Sequence, residues 1–439
     1  MKYIQNRTNW CWVAACKVVG EQYKKNFTEF VFTLENPETE VAVSNLDGLR
    51  TDIVKRRNGI YFVDAWQSAI ARNADFMHGG LDEDRIYEFA KKERVNLVIT
   101  ACTDQALLTA ANVSEKLGLS FYLNSNQARN VTNKFYMKQK FKEYGVPSAD
   151  YRMYAKEDKI ELSTLTNFPY VVKPCDCNSS KGVIKTNNEK ELEAAIKNAF
   201  QLSRSKKVVI EQYISGKELS VDLWIDNGKP RLLAVSETKK MNIEKGIFTI
   251  YQSLYPVEID DLIKQKIIST AIQICNAFEL EKGPMLIQAI LCNQELYVLE
   301  FSARMGGGSK YKFIQYVSGI DIMNQYVNLI VDNDNVSIKP ENNKAYCEMD
   351  YIYAYPGIVN EFKGIEELKE KRIIEEIFYY KEKGTEITQK VVSGDRVMGF
   401  LIGADSQEDL IDKRKEMLNK VKILDPSGRD IMYRECFTQ

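Results

Sequence analysis

Apolar and polar positions alternate between helical and strand periods from about Leu81 onward. The stretch "DEDRIYEFAKKER" sets Ile86, Phe89 and Ala90 on one helical face, and "VNLVIT" is a short apolar run of strand length. "DQALLTAANVSEKLG" then returns to helical spacing and stops at Gly118. That order predicts a piece of a parallel α/β sheet. "TNKFYMKQKFKEYGVPS" predicts a capped helix, with Thr132 as N-cap, Gly145 just past its end and Pro147 blocking continuation.

A second unit follows. "FPYVVKP" predicts a strand closed by Pro174, "CDCNSSKGV" a polar loop that returns into "VIKT", "NEKELEAAIKNAF" a helix and "KKVVIEQYI" a strand, together a small α+β module over about 151–214. "ELSVDLWID" alternates, Asn227-Gly228 marks a hairpin turn, and "RLLAVSE" runs back. A long amphipathic helix from about Glu258 to Phe278 precedes two strands, "MLIQAIL" and "ELYVLEF", joined by a turn at Asn293. Further strands and helices fill the last hundred or so residues. No internal repeat or low-complexity tract interrupts the chain.

Composition narrows the function classes. The 439 residues are 44% hydrophobic and 28% charged, which is ordinary for a globular protein of about two to four structural units. Sixty basic against 61 acidic residues leave no electrostatic footprint for nucleic acid or an anionic membrane. No apolar run reaches the ~18 residues of a membrane span, and the N-terminus lacks a signal-peptide layout. Nine scattered cysteines fit reduced thiols, so a cytoplasmic setting is expected. With one histidine, His78, and only Cys175 and Cys177 closely spaced, a structural zinc site is not expected.

The chemistry-bearing residues come in groups. Lys173 follows three apolar strand residues, so its ammonium needs a partner such as phosphate, although a strand-end lysine reaching water reads the same way. In "NSSKGV", small hydroxylated residues beside Lys181 and Gly182 would let backbone N–H groups close over an anion, as a plain hairpin turn would also do. Glu211 sits at a strand end and Glu218 lies seven residues on, positions suited to an adenine amino group and a pair of ribose hydroxyls. Gln288 lies amid apolar neighbours, where an amide is costly without a hydrogen bond or a metal. Glu300 and Ser302 share a strand face, and a hairpin around Asn293 would bring Gln288 and Glu300 together. Hard oxygen donors in ones and twos, completed by phosphate oxygens and water, suit magnesium. Arg304 offers a fork for a phosphoryl group, and Gly306, Gly307 and Gly308 let backbone approach a substrate closely. A satisfied amide and a surface ion pair are the bland alternative.

Taken in order, "NKFYMKQKFKEYGVPS", "FPYVVKP", "SSKGV", "VVIEQYISGKELSVD" and "IQAILCNQELYVLEFSAR" resemble the ATP-grasp superfamily, in the branch of the carbamoyl-phosphate synthetase large subunit and related carboxylate-amine ligases. The resemblance runs from about Leu81 to the C-terminus. It implies an α/β protein with an ATP-grasp fold, two α+β lobes around an ATP cleft, preceded by a truncated Rossmann-like domain. The implied division is 76–130 for that partial domain, 131–332 for the ATP-grasp domain and 333–439 for a region completing the large lobe. Lys134, Lys173 and the loop residues Ser179, Ser180, Lys181 and Gly182 would contact ATP phosphates. Glu211 and the backbone of Gln212, Tyr213 and Ile214 would hold adenine, and Glu218 the ribose. Gln288, Glu300 and Ser302 would ligate magnesium, with manganese as the alternative ion, and Arg304 and Lys173 would serve the transferred phosphoryl group. The family pattern has asparagine where this chain has Ser302. The implied activity is ligation of a small-molecule or peptide carboxylate to an amine through an acyl phosphate, with a homodimer among the assemblies it allows. An ATP-binding protein without turnover is the alternative.

Residues 1–75 depart from that pattern. "NWCWVAA" resembles the nucleophile region of papain-like or double-glycine cysteine peptidases, with Gln5 at an oxyanion-hole position. A thiolate at Cys11 would need a base, and His78 in "DFMHGG" is the sole histidine. The simpler reading makes Trp10, Cys11 and Trp12 the start of a packed helix.

Overall fold

The computed structural model describes residues 83–93, 97, 98, 100, 102, 104–177, 182–241, 249–331, 338–340, 346–388 and 395–437. The head with Cys11 and His78 lies outside them, as do Ser179, Ser180 and Lys181. Helices α1 (Glu83–Glu93) and α2 (Asp104–Leu117) form as their spacing predicts, burying Ile86, Ala90 and Val113 together. Of the parallel strand expected between them only Leu97, Val98 and Thr100 are described. Leu97, Val98 and Thr100 carry no ladder, and every strand pairing among the described residues is antiparallel. Leu97 and Val98 pack against two core clusters instead, because an apolar run demands burial without naming a hydrogen-bonding neighbour.

Helix α3 (Ser125–Thr132) carries a capping box of Asn124 and Gln127, and α4 (Lys134–Tyr144) follows after one residue. Asn133, not Thr132, caps α4, accepting the Phe135 N–H at 2.9 Å. The Thr132 hydroxyl is already spent on the Ala128 carbonyl at 2.8 Å, which ties it to α3. Gly145 ends α4 in the left-handed conformation its position predicts.

Beyond α4 the chain builds two sheets. The smaller contains β1 (Tyr151–Ala155), β2 (Tyr170–Pro174), β3 (Ile184–Thr186) and β4 (Lys207–Gln212) in the order β1-β4-β2-β3. Helix α5 (Glu189–Leu202) covers it, burying Leu192 and Ile196 against Val172 and Ile210. The larger contains β5 (Lys217–Asp226), β6 (Lys229–Lys240), β7 (Ile250–Tyr255), β8 (Lys282–Cys292), β9 (Glu295–Ser302), β10 (Tyr346–Ile352), β11 (Glu376–Tyr379) and β12 (Met398–Ala404). Their order is β11-β12-β10-β7-β6-β5-β8-β9, so strands from the C-terminal region complete the sheet that β5 begins.

Asn227 and Gly228 both have positive φ, the backbone of a type I′ turn, and the hairpin after β8 turns through Asn293 and Gln294 with the same sign. Helix α6 (Asp261–Phe278) starts a few residues later than its apolar pattern suggests, where Asp260 accepts the Ile263 N–H at 2.8 Å. It closes a core that includes Leu219, Val221, Phe141, Phe278 and Phe301. Helices α7 (Lys310–Ser318), α8 (Ile322–Val331) and α9 (Gln407–Lys420) complete the packing. No helix among the described residues is long and apolar enough to cross a membrane.

One buried pair works against stability. Glu348 and Asp350 share a face of β10 and one guanidinium, Arg414, at 3.6 and 3.1 Å. Burial pushes both carboxyls up, with Asp350 adding repulsion at Glu348. For an acid raised in the folded state, stability is present below the unfolded pKa and lost as pH rises through the folded one. Glu348→Gln keeps an acceptor for the Gln252 amide while removing the excess charge. It is expected to add roughly 1 kcal/mol at pH 8 and almost nothing at pH 4, read from denaturant midpoints at the two pH values.

Candidate active site

The strand register assembles a polar row on one face of the large sheet. Ser220 lies opposite Ser236 on one side and Gln288 on the other, and Gln288 lies opposite Glu300. Directly opposed residues point to the same face, so four neighbouring strands each contribute an oxygen-bearing side chain to one line. Period 2 adds Glu218 and Asp222 on β5 and Ser302 on β9 to that face. Gln288 is only half-buried, contrary to the costly burial expected of it, because this face is not sealed by α6.

Helix α4 sets two lysines over the junction of the sheets. Lys134 Nζ pairs with Glu300 Oε2 at 2.8 Å and donates to the Cys177 carbonyl at 3.0 Å. One turn on, Lys138 is 1% exposed and reaches Glu211 Oε1 at 3.0 Å. Lys173, from β2, donates to the other Glu211 oxygen at 2.5 Å. Glu211 thus stands between two buried ammonium groups. Burial would raise its pKa, but Lys138 and Lys173 outweigh burial and hold it at about 2. Lys138 is pushed down, first by burial and further by Lys173, since two cations share one carboxylate. Burial likewise opposes ionisation of Glu300, and Lys134 overcomes it, keeping this carboxyl below the usual range.

The other expected residues are placed unevenly. Gln212 and Tyr213 have already given their N–H groups to the Asp150 and Pro169 carbonyls at 2.8 and 3.0 Å, so Ile214 is the one of the three suited to offer a donor at the cleft. Glu218 pairs with Lys240 at 2.5 Å, while its Oε1 is buried with no hydrogen-bond partner. Arg304 is not an open fork. Its Nε and Nη2 embrace Asp104 at 2.8 and 2.5 Å, and its Nη1 donates to the Met305 carbonyl at 2.7 Å. Gly306 passes over Asp222, Gly307 has no close neighbour among the described residues, and Gly308 abuts Tyr351 and Arg396. Gly182 is described, but the rest of its loop, with Ser179, Ser180 and Lys181, lies outside the described residues.

Several residues in and around this constellation escape a reading of the sequence. Lys138 had a signal, its i,i+4 spacing from Lys134, and the alternation of Glu218, Ser220 and Asp222 in "ELSVD" marked a polar strand face. Asp104 and Arg396 had none. Among the described residues no group of three or more His, Cys, Asp or Glu could hold a metal unaided. One carboxylate, one amide and one hydroxyl fit a divalent cation that arrives with phosphate oxygens, the arrangement hard cations of magnesium's size favour.

A family profile decides the fold assignment, since that of the ATP-grasp domain matches residues 166–312, from the approach to β2 into α7. These residues form an ATP-grasp domain. The match takes in Lys173, Glu211, Glu218, Gln288, Glu300 and Arg304, and leaves α4 and Arg396 outside. Phosphoribosylamine--glycine ligase of Fusobacterium nucleatum is 24% identical over 362 residues, 78% of this chain and 84% of that protein. Vancomycin B-type resistance protein VanB of Enterococcus faecalis is 39% identical over 115 residues, 26% of this chain and 32% of that protein. Among solved structures, L-amino acid ligase from Bacillus licheniformis aligns with a TM-score of 0.65 at 19% identity, covering 78% of this chain and 84% of that one. The biotin carboxylase domain dimer of Hydrogenobacter thermophilus 2-oxoglutarate carboxylase, solved with MgADP and bicarbonate, gives 0.64 at 16% identity, covering 81% and 82%. The structural likeness therefore extends well past the profile match in both directions.

Proposed function

We propose that this chain is an ATP- and magnesium-dependent ligase that activates a carboxylic acid as an acyl phosphate and joins it to an amine, releasing ADP and phosphate. The observation that carries the reading is the Ser236–Ser220–Gln288–Glu300 row lying beside Lys134, Lys138 and Lys173 at the junction of the two sheets. The ligase names of its relatives and structural neighbours support it. Lys134 and Lys173 take the ATP phosphates, Glu211 and the Ile214 backbone the adenine, and Glu218 the ribose through its unpartnered oxygen. Gln288, Glu300 and Ser302 would hold the cation, which when bound would supply charge neutralisation at the phosphates. A substrate carboxylate oxygen attacks the γ-phosphorus and ADP leaves; the amine nitrogen then attacks the acyl carbon, the C–O bond to phosphate breaks, and the nitrogen's proton leaves with the phosphate. Positioning and charge neutralisation are most of what phosphoryl transfer requires, and no nucleophilic side chain is needed. Arg304, with Lys173, serves the transferred phosphoryl group once Asp104 shares or yields its fork.

The same reading assigns 131–332 to the catalytic core, 333–439 to completion of the large lobe and 76–130 to a shortened preceding domain. Six cysteines among the described residues, none of them in a disulfide there, support a cytoplasmic setting. The Arg304–Asp104 pair favours one other reading, a nucleotide-binding protein without turnover. A matrix of carboxylic acids and amines, followed by ADP and phosphate release, separates the two. The ligase reading expects equal ADP and phosphate, released only with the right acid, and the same release from Cys11→Ala. Thermal stabilisation by MgATP with no ADP from any acid would leave only the nucleotide-binding reading.

A further inference from the structure

Arg396 has no role in the nucleotide site, yet its surroundings are those of a ligand-binding group. It is half-buried just before β12, with its guanidinium over the Tyr351 ring at 3.7 Å and its Nε donating to the Tyr353 hydroxyl at 3.3 Å. Both tyrosines are fixed in turn. Tyr353 donates to the Ile250 carbonyl at 2.8 Å and Tyr351 to the Gly308 carbonyl at 3.0 Å. No carboxylate lies within ion-pair distance of Arg396 among the described residues. A guanidinium stays charged at every pH a protein meets, so one held against two tyrosines, with no carboxylate among the described residues to pair with it, favours an incoming anion.

The neighbouring backbone says where that anion would sit. A Cβ on Gly308 would overlap Arg396 Nη1 and come within 2.9 Å of the Tyr351 hydroxyl, and φ of +68° disfavours a side chain there in any case. Among the described residues nothing lies within 4 Å of where a Gly307 side chain would begin, so the middle of the glycine run is uncrowded. At the near end of the run, Gly306 lies over Asp222 and Lys310, and Arg304 is two residues before it. The run therefore leads from the proposed phosphoryl-transfer centre to Arg396.

We infer that Arg396, Tyr351 and the Gly307–Gly308 backbone form a subsite for an oxyanion, a carboxylate or a phosphate monoester, carried by a substrate in addition to its reacting group. This rests on the ligase reading and narrows its substrate class to compounds with a second anionic end. A flat fork over an aromatic face suits such a group, and a glycine pair leaves room for it.

Calorimetry on the full chain loaded with MgADP tests it, using two matched pairs: L-alanine against L-alaninamide, and ribose 5-phosphate against ribose. The anionic member of one pair is expected to bind at least tenfold more tightly than its neutral counterpart, and which pair responds identifies carboxylate or phosphate as the source. Arg396→Gln is expected to weaken that binding by about 10- to 100-fold, with Arg396→Lys between the two. Gly308→Ala, which retains the charge and narrows the space, should move in the same direction. Circular dichroism and an unchanged MgADP affinity establish that the variants are folded. Equal binding within both pairs, no binding by any of the four, or an Arg396→Gln variant that binds like wild type overturns the subsite. Failure of MgADP itself to bind overturns the ligase reading instead.

Discussion

Glu211→Ala is expected to destabilise the chain by about 3–5 kcal/mol, because it strands two buried ammonium groups that now face one carboxylate. Two independent routes lead to that size. A carboxyl held at about 2 in place of 4.5 ties roughly 3 kcal/mol to its ionised form, and breaking a buried ion cluster by removing one partner typically costs as much. The pH dependence follows from the depressed value. Stability from Glu211 is fully present above the unfolded carboxyl pKa and is lost as pH falls through about 2. Urea midpoints should therefore drop with acidification in the wild type, whereas the alanine variant lacks the Glu211 share of that slope. Lys138→Met in the Glu211→Ala background should recover part of the loss, since it removes one of the two stranded charges and leaves an apolar chain of similar length at a site 1% exposed. An unchanged midpoint in the single variant would mean that Lys138 and Lys173 find other partners or deprotonate at no cost.

The parts of the site that could be read in the chain are those set by local periods. Gln288 and Glu300 meet because each strand repeats every two residues and the Asn293-Gln294 turn fixes the register between them. Lys134 is placed by the helix that Asn133 and Gly145 bracket. The small sheet and its covering helix were legible for the same reason. Contacts across long separations were not. Arg304 and Asp104 lie 200 residues apart, and nothing in either neighbourhood signals that one carboxylate would occupy the fork of the other residue. Arg396 comes onto Gly308 only through the arrival of β10 and β12 in a sheet begun by β5. At Leu97 and Val98 the apolar run correctly signalled packing against the core, while the described residues of that run show no strand pairing. Gln288 misled through its neighbours: an apolar flank in sequence became a half-open face once α6 closed only one side of the sheet.

Glu300→Gln is expected to lower acid-dependent ADP release by at least ~10³-fold, the size associated with losing a preorganised charge at a phosphoryl-transfer site. Two things fail together in that variant. The cation site loses its only carboxylate, and Lys134 loses the partner that fixes it 2.8 Å away across the junction of the sheets. The mirror substitution separates them. Gln288→Glu keeps Glu300 and Lys134 in place but sets a second carboxylate directly opposite Glu300, at a half-buried position. Without metal, like charges facing each other across a strand pair repel, so its melting temperature should fall below that of the wild type. With magnesium the order should reverse: the added ligand charge lets the ion bind without nucleotide, whereas the wild type, with no cluster of three metal-binding side chains among its described residues, should respond to MgATP and hardly to magnesium alone. Thermal shift in magnesium, ATP and both together reads this pattern for all three proteins. A wild type stabilised by magnesium alone, or a Gln288→Glu variant indifferent to it, would place the cation somewhere other than between these two strands.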